Sequence, residues 1–184
     1  MEHITDWGRK SGINRGGKMA YRNKVYVSMD ADTDLRYYRL MKAWKQNDNT
    51  TFNFYDAHDI NNILDKSEES IKRGLQERFR NTKVFVLLVG EHTRYLYRYV
   101  RWEIQEALNR NLPCIVVNIN GKRSLDSERC PAIIRGELAV HISYNAKIMQ
   151  YALDNWPQFF EEAQKTGKTG AYYYSDEIYE KLGL

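Results

Sequence analysis

Residues 84–89 read Val-Phe-Val-Leu-Leu-Val, six apolar residues in a row, and Gly90 closes the run. A strand with one wet face alternates polar and apolar residues, so an unbroken apolar run has to be covered on both faces. Similar runs stand in KVYVSMD (24–30) and CIVVNING (114–121). Between them lie segments with helical spacing. Buried strands alternating with helices predict a parallel sheet with helices on both sides, a three-layer α/β unit.

The remaining elements follow from periodicity. In LRYYRLMKAW, Tyr37, Leu40, Met41 and Trp44 share one helical face. TTFNFYD (50–56) alternates and predicts a second strand. In ILDKSEESIKRGLQERF, Asp65 and Glu68 have the spacing of a capping pair, and Ile71, Leu75 and Phe79 form a buried stripe. ELAVHIS (137–143) is a weaker fifth strand. AKIMQYALDNWPQFFEEAQ predicts a helix interrupted near Pro157. Five strands in this alternation suggest a flavodoxin-like sheet, mainly parallel, in the order 2-1-3-4-5.

That order has a switch point between the first and third strands. Ligands of open α/β sheets bind there, beyond the carboxyl ends of the strands. Two loops flank the expected crevice, SMDADTD after the first strand and GEHTRYLYRYVRWE after the third.

In the helix over 98–110, Val100, Ile104, Ala107 and Leu108 make the apolar face. Glu103 lies on the shoulder of that face, about 60° from Val100 at 100° per residue, and Glu106 points further out. A carboxylate early in a helix can simply complement the macrodipole. The same position also lets Glu103 face the crevice. Ser28, Asp30, Asp32 and Asp34 follow the first strand; at least one of Asp or Thr33 suits a helix N-cap, and the others can meet ligand hydroxyls. In RYLYRYVR, tyrosines alternate with Arg94, Arg98 and Arg101. Such a loop can stack bases along a nucleic-acid strand, stack one adenine, or bind a protein.

Composition narrows the classes. The 184-residue chain is 42% hydrophobic and 28% charged, as expected of a globular chain. No apolar run approaches the about 20 residues of a membrane span, and the first residues carry no apolar signal core. Cys114 and Cys130 have no CxxC or Cys/His context, so neither a zinc site nor a disulfide framework is expected, and a cytoplasmic setting is the simplest. A net charge of +4 is small for a nucleic-acid binder, so the crevice location favours a nucleotide over a strand. GxGxxG and Walker A sequences are absent, and His58 and His92 assemble no triad.

Several of these segments together resemble a known family. VYVSMDADTD, FYDAHDI, NTKVFVLLVGEHT and YVRWEI are similar to the TIR-like domain of the ThsB-type protein of Thoeris antiphage defence, over about residues 24–121. The resemblance implies a TIR-like domain over 23–166, between a basic, glycine-containing extension (1–22) and an aromatic tail (167–184). It implies NAD glycohydrolase or ADP-ribosyl cyclase activity, in which the nicotinamide–ribose bond breaks and a cyclic ADP-ribose-type product signals to an effector. NAD would be substrate, with no cofactor and no metal.

Within YVRWEI, the resemblance puts the catalytic role on Glu103. Ser28, Met29, Asp30, Asp56, Tyr99 and Trp102 are the candidate substrate-binding residues. Self-association is expected, partly because Tyr172, Tyr173 and Tyr174 fall outside the core pattern, and neither membrane nor nucleic acid is an expected partner. The alternative is a catalytically silent TIR-like module that works through protein association.

Overall fold

Every strand pairing among the described residues is parallel, and the apolar run at 84–89 lies in the middle of the sheet. The computed structural model describes residues 2–5, 24–46, 55–56, 68–96 and 98–184. Strands β1 (Glu2–Ile4), β2 (Lys24–Ser28), β3 (Tyr55–Asp56), β4 (Thr82–Val89), β5 (Cys114–Asn118), β6 (Ala139–Ser143) and β7 (Ala171–Tyr174) form one sheet. Its order is β1-β7-β6-β5-β4-β2-β3. The five expected strands, β2 to β6, keep the expected relative order. Among the described residues the sheet nevertheless has seven strands rather than five, because β7 and then β1 extend it beyond β6.

The two added strands come from the segments read as tail and extension. Alternation in Ala171-Tyr-Tyr-Tyr174 is hidden, since all three tyrosines carry the same side chain. The pleat separates them: Tyr172 and Tyr174 are buried, and Tyr173 is half-buried. Glu2–Ile4 pairs with them residue for residue, and the Tyr172 hydroxyl donates to the Glu2 carboxylate at 2.7 Å. The expectation that these tyrosines serve an interface therefore fails for Tyr172 and Tyr174, which belong to the core.

Helices α1 (Leu35–Gln46), α5 (Ala146–Lys165) and α6 (Asp176–Lys181) cover one face of the sheet. Helices α2 (Glu68–Phe79), α3 (Tyr99–Asn109) and α4 (Ala132–Arg135) cover the other. Strand residues divide accordingly. Val25, Val27 and Met29 go to the first core and Tyr26 to the second, as period-two geometry requires.

Two helices, α1 and α5, differ from their expected patterns. On α1 the buried residues are Tyr38 and Met41, whereas Leu40 is exposed. Leu75 and Phe79 are buried on α2 as expected; Asp65 and the side chain of Ile71 lie outside the described residues. Helix α5 runs through Pro157 without a break. Leu153 and Trp156 before the proline, and Phe160 and Ala163 after it, are all buried in one core. Burying large apolar side chains contributes about 1.5–3 kcal/mol each, so together they outweigh the roughly 3 kcal/mol cost of an interior proline.

Candidate active site

The switch point lies between β2 and β4, where the chain leaves β2 for β3 and returns to β4 on the other side. Glu103 arrives there from α3. It is the fifth residue of that helix, beyond the first turn, and no acidic residue occupies the first turn. The macrodipole reading is therefore weak for this carboxylate. Its side chain is more buried than a shoulder position suggests, with only 6% of the residue exposed.

Both carboxylate oxygens of Glu103 are held by hydroxyls from β2. Tyr26 donates to Oε1 at 2.6 Å, and Ser28 donates to Oε2 at 2.5 Å. Two residues apart on a strand, Tyr26 and Ser28 point to the same face, and that is the face α3 covers. Burial is the largest influence on the carboxyl and raises its pKa to about 7 from an ordinary 4.5. The hydrogen bonds from Ser28 and Tyr26, and the more distant Arg78 charge, oppose the rise. Burial and the neighbouring Glu103 carboxylate push the Tyr26 phenol well above its ordinary value, so it remains a donor.

Aromatic rings surround this pair. Tyr26 stacks on Phe79 with centroids 4.2 Å apart, and Trp102 meets Phe79 edge-on at 6.1 Å. Tyr99 and Trp102 precede Glu103 by four residues and one residue on α3, and both are half-buried. The Arg98 guanidinium lies 5.8 Å from the Tyr99 ring centroid.

The remaining candidates are spread around this centre. Asp30 is buried, and its Oδ1 accepts from the Asp32 backbone N–H at 3.0 Å, closing an Asx turn at the crevice edge. Met29 turns to the opposite core, with Val27 and Met41, and is not brought to Glu103. Asp56 pairs with Val25 through the backbone; its side chain lies outside the described residues. Asp34 is buried against Gly90 with its Oδ2 unpartnered. Burial raises its pKa, and the Asp30 charge adds to the rise.

Tyr26 was missed by sequence reasoning. The signal was present, since it stands two residues before Ser28 on a strand and so shares its face. Glu106 is less exposed than expected, because Arg110 one turn on pairs with it at 2.6 Å. In the Tyr/Arg loop, Thr93–Tyr95 form a 3-10 turn. Arg94 lies over the Tyr95 ring and donates to the Glu128 carbonyl at 2.8 Å, so it is committed within the chain.

Cys114 and Cys130 are both buried, and burial pushes both thiols up to about 12. Among the described residues no cluster of His, Cys, Asp and Glu has the arrangement of a metal site. No helix among them is long and apolar enough to cross a membrane.

Among solved structures, the protein is similar to the crystal structure of a conserved protein from Enterococcus faecalis V583. The identity is 17% and the TM-score 0.44, over 88% of this chain and 98% of that one. No curated protein matches the sequence. The family described as Thoeris protein ThsB, TIR-like domain, matches residues 26–124, a span that starts at Tyr26 and includes Ser28, Trp102 and Glu103. With more than half of its length matched, the chain belongs to the TIR-like domain family of the Thoeris protein ThsB.

Proposed function

We propose that this protein cleaves NAD at the nicotinamide–ribose bond, as part of bacterial antiphage defence. One observation carries the reading: a buried carboxylate, Glu103, held by two hydroxyls at the switch point of a parallel sheet. Most glycosidases need two carboxyl groups, one of them to protonate the leaving group. Nicotinamide leaves a cationic pyridinium as a neutral ring and needs no such proton. One anion then suffices to hold the ribose and to stabilise positive charge on C1′ as the bond lengthens. Tyr99 and Trp102 supply ring surface beside it for the bases.

The expected product is a cyclic ADP-ribose-type nucleotide, because rings that exclude water favour attack by another part of the same substrate. Such a product would carry the signal to an effector by diffusion, in a cytoplasmic setting that suits two free buried thiols. The test is to incubate the purified protein with NAD, with and without lysate from phage-infected cells. Mass spectrometry then identifies nicotinamide and the nucleotide product. Intact NAD under both conditions, in a folded protein, would refute the reading.

A second reading, a catalytically silent association module, also has an observation on its side. Both oxygens of Glu103 already have protein partners, and the residue is only 6% exposed. A purely structural carboxylate would look the same. Under this reading Glu103 serves only to tie α3 to β2.

A further inference from the structure

We propose that Tyr26 is a positioning residue that fixes the Glu103 carboxylate through Oε1, leaving Oε2, the oxygen held by Ser28, as the one that meets the ribose. The claim rests on the NAD reading for its catalytic consequence, but its geometric part stands without it.

The two hydroxyls are not equivalent. Both residues are fully buried, but the Tyr26 ring is stacked on Phe79 and lies near-parallel to Phe85 at 6.1 Å. A ring packed this way cannot swing aside without disturbing α2 and β4, so its hydroxyl is fixed. Ser28 is the last residue of β2, one pleat nearer the carboxyl end where the crevice opens. Its hydroxyl sits on a single rotatable bond, so it can turn from Oε2 and yield that place to a sugar hydroxyl without moving a packed ring. A fixed donor on Oε1 and a replaceable one on Oε2 orient the carboxylate before substrate arrives. That pre-organisation is what makes a single charge effective in a low-dielectric site.

Among the described residues, the charged and titratable groups acting on Glu103 come from two elements, Tyr26 on β2 and Arg78 on α2. Removing the Tyr26 hydroxyl therefore leaves Arg78 and Ser28 as the groups that favour the ionised form. The carboxyl should become harder to ionise, and its remaining rotamers less restricted.

The experiment is Tyr26→Phe, which keeps the stacked ring. Carbon-13 carboxyl NMR follows the titration of Glu103, assigned by the signal lost in Glu103→Gln. NAD turnover is measured across pH under triggering conditions. The expected result is a Glu103 midpoint raised by about one pH unit, with kcat lowered about ten-fold and KM little changed. An unmoved midpoint overturns the proposal whatever the turnover. A raised midpoint with unchanged kcat overturns its catalytic part. If the midpoint rises and neither protein cleaves NAD, Tyr26 holds the carboxylate and the NAD reading is what fails. Wild-type protein gives a second readout that needs no variant. The Tyr26 hydroxyl proton resonance should shift with the same midpoint as Glu103, and a resonance indifferent to that titration would also overturn the proposal.

Discussion

The carboxylate of Asp34 occupies the space that a side chain on Gly90 would need: a methyl group there would overlap both Asp34 oxygens. This contact joins the loop after β2 to the end of β4, the two segments that flank the switch point. Asp34 is only 4% exposed and has little room to retreat. Gly90→Ala should therefore cost about 1–3 kcal/mol, as overpacking does. Asp34→Ala should recover part of that loss in the double variant, which a double-mutant cycle in urea would detect. Strictly additive costs would mean that the two residues do not press on each other.

The raised pKa of Glu103 makes a signed prediction about stability. Its folded value is about 7 against an ordinary 4.5, so between these limits the folded protein binds more protons than the unfolded chain. Stability from this group is greatest below about pH 4.5 and falls as pH rises towards 7. Glu103→Gln lacks the titration. The variant should gain on the wild type with rising pH, by up to about 3 kcal/mol at pH 8, and show little difference at pH 4. Denaturant unfolding of both proteins across that range measures the change. A difference that does not vary with pH would place Glu103 in a far wetter setting than its burial indicates.

The same group predicts the acid limb of catalysis. If the ionised carboxylate is the active form, kcat/KM for NAD should rise through a midpoint near 7, which reports the free protein. The cationic nicotinamide ring beside Glu103 should favour ionisation, so the midpoint for kcat should lie lower. Steady-state rates between pH 5 and pH 9 separate the two, and a limb that instead falls across that midpoint would assign Glu103 to the protonated form.

Much of the fold was legible because the central strands carry no polar face. Val84–Val89 could only lie inside a covered sheet, and β2 to β6 took the relative order that the strand–helix alternation suggested. Strands β1 and β7 were illegible for a physical reason. A three-residue edge strand has too few positions to show a period, and three consecutive tyrosines conceal one. Glu103 stood out through helix position and family resemblance together, whereas its depth did not, because helical angle says nothing about what approaches from a neighbouring strand. Tyr26 is that neighbour, 77 positions away in sequence.

The tyrosines of β7 should therefore matter for stability rather than association. Tyr172 is buried in the core near Trp156, with centroids 5.9 Å apart, and bonds to Glu2. Tyr172→Ala should cost about 3–5 kcal/mol, in the range of large aromatic truncations, and Tyr172→Phe about 1 kcal/mol for the lost hydrogen bond. Equilibrium unfolding gives both values. A near-neutral Tyr172→Ala would show that β7 is not part of the cooperative core.

The most direct test compares NAD loss by wild type, Glu103→Gln and Glu106→Gln under triggering conditions, with melting temperatures alongside. Glu106 serves as the control because its partner is a surface arginine, and such pairs contribute about 0–1 kcal/mol. Removing one preorganised transition-state contact typically costs about 10²–10³ in rate, so Glu103→Gln should be folded and nearly inactive while Glu106→Gln keeps most of its turnover. Near-normal NAD cleavage by a folded Glu103→Gln protein would contradict the account, and the carboxylate would then be only a structural tie between α3 and β2.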